Sequence, residues 1–467
     1  MLVTEPVWDD YFTNLFEKTI LNNRFIPREV KLGILKYPQQ QVLLQQANNF
    51  KLDKLTGEIE INKIFCGGAR YGGKTLMGAV CALQYMECKK HKTLVTRNTY
   101  DDLMAEGVDS IFGYIDMWNT QLDGDLIIRE GKHTIKSKEG SLITFKSFNY
   151  DKKGDSLQSK SEHTIINDEA PQLSINILED EEPTLRQGLD ENYPLSKINF
   201  GNPQLNNEET NEYFADEYID GDYIFINMDL HTNPLIDREK YKQSFKGLSI
   251  AKKSAFFDGD FRYKAKEGDL INQTQLNNAL FDTSMIDYYN TASILFLDLA
   301  GRGSDKFCIS TITIDLNDDT KILDNITQTK KANATKEVKK HMKEDSQRGV
   351  YPALAILEME AGSWNYTFEY WYNMFMQEGI KVKDQKPVGN KYIRALPATE
   401  ELITGELVIN QNLTKKIYDE SKRKKSYFDL FCKEAISMLP IMKVSPNIMD
   451  TVSLGVNYIN NNEITVD

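Results

Sequence analysis

The sequence predicts an α/β protein of two domains, each with a sheet flanked by helices, the first a P-loop NTPase domain with a mostly parallel sheet. Three observations predict this. Between Ile61 and about Phe200, short apolar runs alternate with helical patterns. A glycine-rich stretch, "GARYGGKT", stands between one such run and a helix-compatible segment. A second strand series opens at "ASILFLDLA", after about 85 residues (205–290) without a motif.

In order along the chain, residues 1–50 read as helical and polar, ending in the glutamine-rich "YPQQQVLLQQANNF". Strands are expected at "INKIFC", "KTLVTR", "SLITFKSF", "HTIINDEA" and "SKINFGNP", with a helix over 74–89 after the first. "DYIFINMDL" reads as a further strand. The second series runs through "ASILFLDLAGRGSDKFCISTITID", "KILDNITQT", a helix at 333–347, "ALAILEME" and another helix, again with a βαβ-like rhythm. "IMDTVSLGVNYI" reads as helical. The expected partition is a first domain over 1–235, a connector over 236–285 and a second domain over 286–467.

Composition is that of a globular protein, with 40% hydrophobic and 27% charged residues. No apolar run is long enough to cross a bilayer, and no signal peptide is visible, so no membrane partner is expected. The five cysteines, Cys66, Cys81, Cys88, Cys308 and Cys432, include no Cys-x-x-Cys pair. Reduced thiols in a cytosolic protein are expected. The net charge of −13 gives no general reason for nucleic-acid binding, although partners feel local fields and not totals. The basic run "SKRKK" at 421–425 reads first as a solvated helix face.

Gly68, Gly73, Lys74 and Thr75 fit Gly-x-x-x-x-Gly-Lys-Thr. Glycines let backbone N–H groups curl around an anion, and the helix that follows adds its N-terminal partial charge. Lys74 is expected to reach the β- and γ-phosphates of ATP, and Thr75 the accompanying Mg²⁺. "TIINDEA" supplies a strand ending in two carboxylates: Asp168 for the Mg²⁺ shell and Glu169 to polarise the attacking water. Arg70, inside the loop, is either a stabiliser of γ-phosphate charge or a surface arginine paired with a carboxylate.

A second constellation lies downstream. Asp298 ends an apolar strand before a glycine-rich turn and Asp305; Glu358 and Glu360 end another strand; Asp450 opens an amphipathic segment. Taken singly, each reads as ordinary capping. Together they could converge, and hard divalent cations want such oxygen ligands.

The ordered set resembles the large subunit of tailed-phage terminases, the DNA-packaging motor. "FCGGARYGGKT" resembles that family's phosphate loop and "IINDEA" its strand-end Asp-Glu. "FGNPQ", with Gly201, Asn202 and Pro203, resembles the coupling motif that links hydrolysis to movement. "LDLAGRGSDK", "LEMEAGS" and "MDTVSLG" resemble the three nuclease motifs. The resemblance implies an ATPase domain followed by an RNase H-like nuclease domain. It implies two Mg²⁺ or Mn²⁺ ions on Asp298, one of Glu358 and Glu360, and Asp450, with Asp305 able to assist. Gln39, Gln40 and Gln41 resemble the adenine-contacting segment, with no choice among the three; Gln40, the middle one, stands for them. "TLVTRNTY" resembles the strand whose Arg97 lies near the nucleotide. Asn447 stands where relatives often carry a further acidic or histidine ligand.

The resemblance further implies double-stranded DNA, a portal protein and a small terminase subunit as partners, in the host cytoplasm. It implies a monomer in solution and a ring of about five subunits on the portal. The competing readings are a helicase-like, DNA-dependent ATPase with structural C-terminal carboxylates, and a scaffold protein in which "GARYGGKT" is only a turn.

Overall fold

The apolar runs between residues 61 and 230 pair edge to edge into one eight-stranded sheet. In chain order its strands are β1 (Ile61–Gly67), β2 (Lys92–Arg97), β3 (Ile127–Arg129), β4 (Thr134–Lys136), β5 (Leu142–Ser147), β6 (Thr164–Asn167), β7 (Leu195–Phe200) and β8 (Ile224–Asn227). This computed structural model describes residues 5–50, 59–148, 161–187, 193–237, 241, 243, 245, 248–299, 306–358, 367–387, 389–418, 425–440, 442 and 445–462. These residues fall into two units, one of 1–245 with 253–264, the other of 246–252 with 265–467. Residues 236–285 are thus divided between both.

In the first unit the strand order is β3-β4-β5-β2-β6-β7-β1-β8, parallel except at β3–β4 and β4–β5. Every residue of β6 and β7 is buried, as parallel strands covered on both faces require. Alternate side chains feed two cores. Ile64, Cys66, Val95, Ile166 and Ile198 join one, while Phe65, Leu94 and Ile165 join the other. The reading of residues 1–50 as helical holds at Asp10–Phe16, Arg28–Ile34 and Pro38–Ala47, but the polar reading does not. Phe12, Phe16, Ile20, Val42, Leu43 and Leu44 are buried in the first core. Each such side chain contributes about 1.5–3 kcal/mol of burial. The polar neighbours that masked them in the sequence lie at the intervening positions of short, irregular helices. The helix expected over 74–89 runs Lys74–Leu83 and continues as turns.

The second sheet is built from β9 (Leu280–Phe281), β10 (Thr291–Asp298), β11 (Phe307–Asp315), β12 (Lys321–Thr329), β13 (Leu354–Glu358), β14 (Lys381–Gln385) and β15 (Leu407–Asn410). Their order is β14-β13-β10-β11-β12-β15-β9. Here the βαβ rhythm needs correction. β10, β11 and β12 form an antiparallel meander, and only β13, β14, β15 and β9 pair in parallel. The reason is connection length. Five residues join β11 to β12, whereas a parallel crossover needs about a dozen or more. Three antiparallel strands with two parallel ones added beside the first is the RNase H-like arrangement. The helix Asn447–Asn461 lies on this sheet. A Cβ at Gly455 would press into the Phe296 and Ile312 side chains, so glycine there permits the close approach.

Candidate functional site

In the first sheet β7 stands between β1 and β6. The carboxyl ends of these three parallel strands therefore bring together the glycine loop, residues 201–203 and the Asp168–Glu169 pair. Ligands of open parallel sheets bind in such crevices. A cavity of about 730 Å³ opens there, lined by Arg70, Gly73, Lys74, Thr75, Arg97, Glu169 and Asn202 among others. That volume suits a nucleotide-sized ligand.

The loop geometry depends on its glycines. Gly68 and Gly73 have φ of 120° and 75°, left-handed conformations that side chains strain. Lys74 Nζ folds back onto the loop, donating to the Ala69 carbonyl at 2.6 Å and the Met228 carbonyl at 3.0 Å. Burial pulls its pKa down to about 8, against the pull of Glu169 and Asp229. Of the two readings of Arg70, neither pairing is what the structure places: its guanidinium lies over the Phe256 ring, 3.8 Å from the centroid, at the cavity wall.

Asp168 is buried, and burial pushes its carboxyl up to about 7 while Arg97, 3.2 Å away, opposes the rise. Glu169 takes a left-handed φ of 51° and accepts from Asn202 Nδ2 at 3.3 Å. The Asn202 Oδ1 and Arg97 Nε atoms are buried without a hydrogen-bond partner. Unanswered polar atoms beside a cavity fit a polar ligand. A Cβ at Gly201 would collide with the Pro171 ring, so the end of β7 abuts the turn that follows Asp168–Glu169. Gly201 N also donates to the Cys66 carbonyl at 3.3 Å, which ties the same segment to β1. Gln40 is buried, and a Cβ at Gly73 would lie 3.3 Å from its Nε2, so it backs the loop. The Gln41 amide is engaged by the Ile34 carbonyl at 3.0 Å.

In the second unit, Asp298 and Glu358 end the neighbouring parallel strands β10 and β13, whose register pairs Leu297 with Leu357. Asp450 sits in the first turn of Asn447–Asn461. One oxygen from each of these three carboxylates lies within 4.8 Å of the other two. Asp305 and Glu360 lie outside the described residues, as do residues 421–424 of the basic run. Burial, then repulsion from Asp298 and Asp450, pushes Glu358 up to about 8. Three crowded oxygen donors that resist carrying their charges together are the donor set a hard divalent cation relieves. Glu434 holds the helix in place: its Oε2 accepts from Ile448 N at 2.7 Å and Met449 N at 3.1 Å. Asn447 is buried at the first helical position.

Two residues escaped the sequence reading. Arg394 forks onto Asp450, with Nη2 at 2.6 Å from Oδ1 and 2.8 Å from Oδ2, and Lys391 Nζ lies 2.8 Å from Oδ2. Both sit in the first turns of the helix Lys391–Thr404. Cations at a helix N-terminus oppose its dipole, so their presence there was a legible sign of an anionic partner.

Fold and site together define a class: a P-loop NTPase-type unit followed by an RNase H-like unit bearing a carboxylate cluster. Solved structures of that build are those of the large terminase from a thermophilic bacteriophage. One crystal form matches over 91% of this chain and 99% of its own, at a TM-score of 0.64 and 12% identity. Its complex with ADP matches over 91% and 100%, at 0.63 and 12%. Its complex with ATP-gamma-S matches over 86% and 94%, at 0.61 and 12%. No family model matches the sequence, and no curated relative does. The likeness is one of fold. No helix among the described residues is long and apolar enough to cross a membrane.

Proposed function

We propose that the chain is a terminase large subunit. Its first unit, the motor, hydrolyses ATP to drive double-stranded DNA through a portal into a procapsid. Its second unit, the nuclease, cuts the concatemer. The carrying observation is the ordered pair of sites: a phosphate loop facing Asp168–Glu169 in one unit, and Asp298, Glu358 and Asp450 gathered in the next.

In the motor, Gly68 to Thr75 would hold the phosphates, Asp168 the magnesium shell, and Glu169 would orient the attacking water. Gly201, Asn202 and Pro203 would couple the event outward, since Asn202 touches Glu169 and Gly201 touches both strand ends. In the nuclease, Asp298, Glu358 and Asp450 would hold two Mg²⁺ or Mn²⁺ ions. Such ions stabilise the attacking and leaving oxygens of a phosphodiester. The partners that follow are duplex DNA, a portal, a small subunit and neighbouring copies in a ring.

A DNA-dependent ATPase without nuclease activity is the second reading, and the ion pairs that engage Asp450 favour it. One preparation separates the two. Supercoiled plasmid should be cut in Mn²⁺ or Mg²⁺ and spared in EDTA, while ATP turnover is measured in parallel. ATP turnover without cutting in any metal, by the full chain or by residues from about 285 onward, would favour the motor alone.

The cluster also predicts a pH dependence. Glu358 is protonated below about 8 in the metal-free site, against an ordinary 4.5. The stability this raised value contributes is present at low pH and lost as pH rises through about 8. A cation requires the proton to leave. Mn²⁺ affinity, followed by calorimetry, should therefore climb by up to about tenfold per pH unit until about 8 and then level off. A flat profile between pH 6 and 8 would show that Glu358 gives up no proton to the ion.

A further inference from the structure

We infer that Arg394 is a resident counter-cation of the carboxylate cluster, which a divalent ion must displace from Asp450 in order to bind. The inference rests on the reading of the cluster as a cation site. A carboxylate offers about four lone-pair directions, two on each oxygen. On Asp450, Oδ1 accepts from Arg394 Nε at 3.1 Å and Nη2 at 2.6 Å. Oδ2 accepts from Arg394 Nη2 at 2.8 Å and faces Lys391 Nζ at 2.8 Å. All four directions are answered. A hard cation binds an oxygen along one of them, at about 2.0–2.6 Å. It cannot ligate Asp450 while this set is intact. The same guanidinium reaches Glu358 Oε1 at 3.6 Å, so ion and arginine contend for two of the three anions.

The fold holds the arginine to this task. Asn390 caps its helix through Ile393 N at 2.9 Å. Asn457, on the helix that carries Asp450, donates to the Arg394 carbonyl at 2.8 Å. Arg394 Nη1 also donates to the Gly389 carbonyl at 3.3 Å, an anchor independent of the carboxylates. Lys391 is more exposed and binds as a single point charge, so it yields more easily. The consequence is a nuclease site whose affinity for cations is set by exchange against an internal charge and lies below what three carboxylates alone would give.

The test is calorimetric titration of Mn²⁺ into the metal-free full chain, wild type against R394Q, K391Q and D298N. Charge-assisted hydrogen bonds of this kind predict that R394Q binds Mn²⁺ about tenfold or more tightly than wild type, and K391Q by a smaller gain. Equal or weaker binding by R394Q overturns the inference, because the arginine would then only position Asp450. Loss of binding in D298N supports the underlying cation site; absence of binding in wild type and R394Q alike sinks both. Should R394Q fold poorly, R394K keeps the charge and loses the fork. It should bind between the two, with a larger Mn²⁺-induced rise in Tm than wild type; a rise no larger than wild type counts against displacement.

Discussion

Replacing Lys74 with alanine is expected to abolish ATP hydrolysis while leaving the first unit folded. Both halves of that expectation come from the geometry. The ammonium is buried and is held by two carbonyls, those of Ala69 and Met228, within the loop it would leave on meeting a phosphate. Burial has already lowered its pKa to about 8, so its charge is costly to keep without an anion nearby. Truncation removes that cost together with two hydrogen bonds, and the apolar core beneath the helix Lys74–Leu83 is untouched. The loss of transition-state stabilisation should be roughly 3–4 kcal/mol, about two to three orders of magnitude in turnover. The companion change Glu169→Ala should bind ATP and hydrolyse it slowly, because Glu169 faces the cavity without belonging to the loop. Turnover of Lys74→Ala within about threefold of wild type would remove the cradle from the argument. Lost nucleotide binding in Glu169→Ala would recast that residue as a ligand.

Much of this was legible because certain signals are local. Strand–loop–helix order, glycine spacing and the paired carboxylates of 168–169 are read within a few residues, and β1, β6, β7, β10 and β13 lie where the apolar runs predicted them. Signals that need two distant segments were not legible. Nothing in "GNPQ" announces that Gly201 must be small because Pro171 fills the space beside it. Nothing in "FCKEAI" announces that Glu434 caps a helix that starts at Asn447. The antiparallel meander was hidden because β10, β11 and β12 are buried almost throughout, so their alternation, the usual mark of an antiparallel strand, is erased. The N-terminal helices misled for the opposite reason: Gln40 and Gln41 are buried polar residues inside a core element. Arg394 and Lys391 were missed because charge on a helix is ordinarily solvated, and only its place at the N-terminal end marked it.

Asp298→Ala is expected to eliminate metal-dependent DNA cleavage, by about three orders of magnitude or more, with ATP turnover unchanged within about twofold. Asp450→Ala should lose cleavage equally, yet the two variants should part in stability, and the difference carries the argument. Asp298 is one of three crowded carboxylates and raises Glu358 by repulsion. Removing it relieves like-charge strain, so the metal-free variant should be as stable as wild type or more so. Asp450 is buried and forked by Arg394, whose own side chain is only 11% exposed. Its removal strands a guanidinium and an ammonium, a loss of about 3–5 kcal/mol for a buried pair. The second unit should therefore melt several degrees lower in Asp450→Ala, with the first unit's ATPase as an internal control. Thermal denaturation in EDTA reads this directly. Equal destabilisation by both substitutions would mean that Asp298 also anchors the fold, and an ATPase loss that matched the cleavage loss would mean that the two units do not act as separable sites.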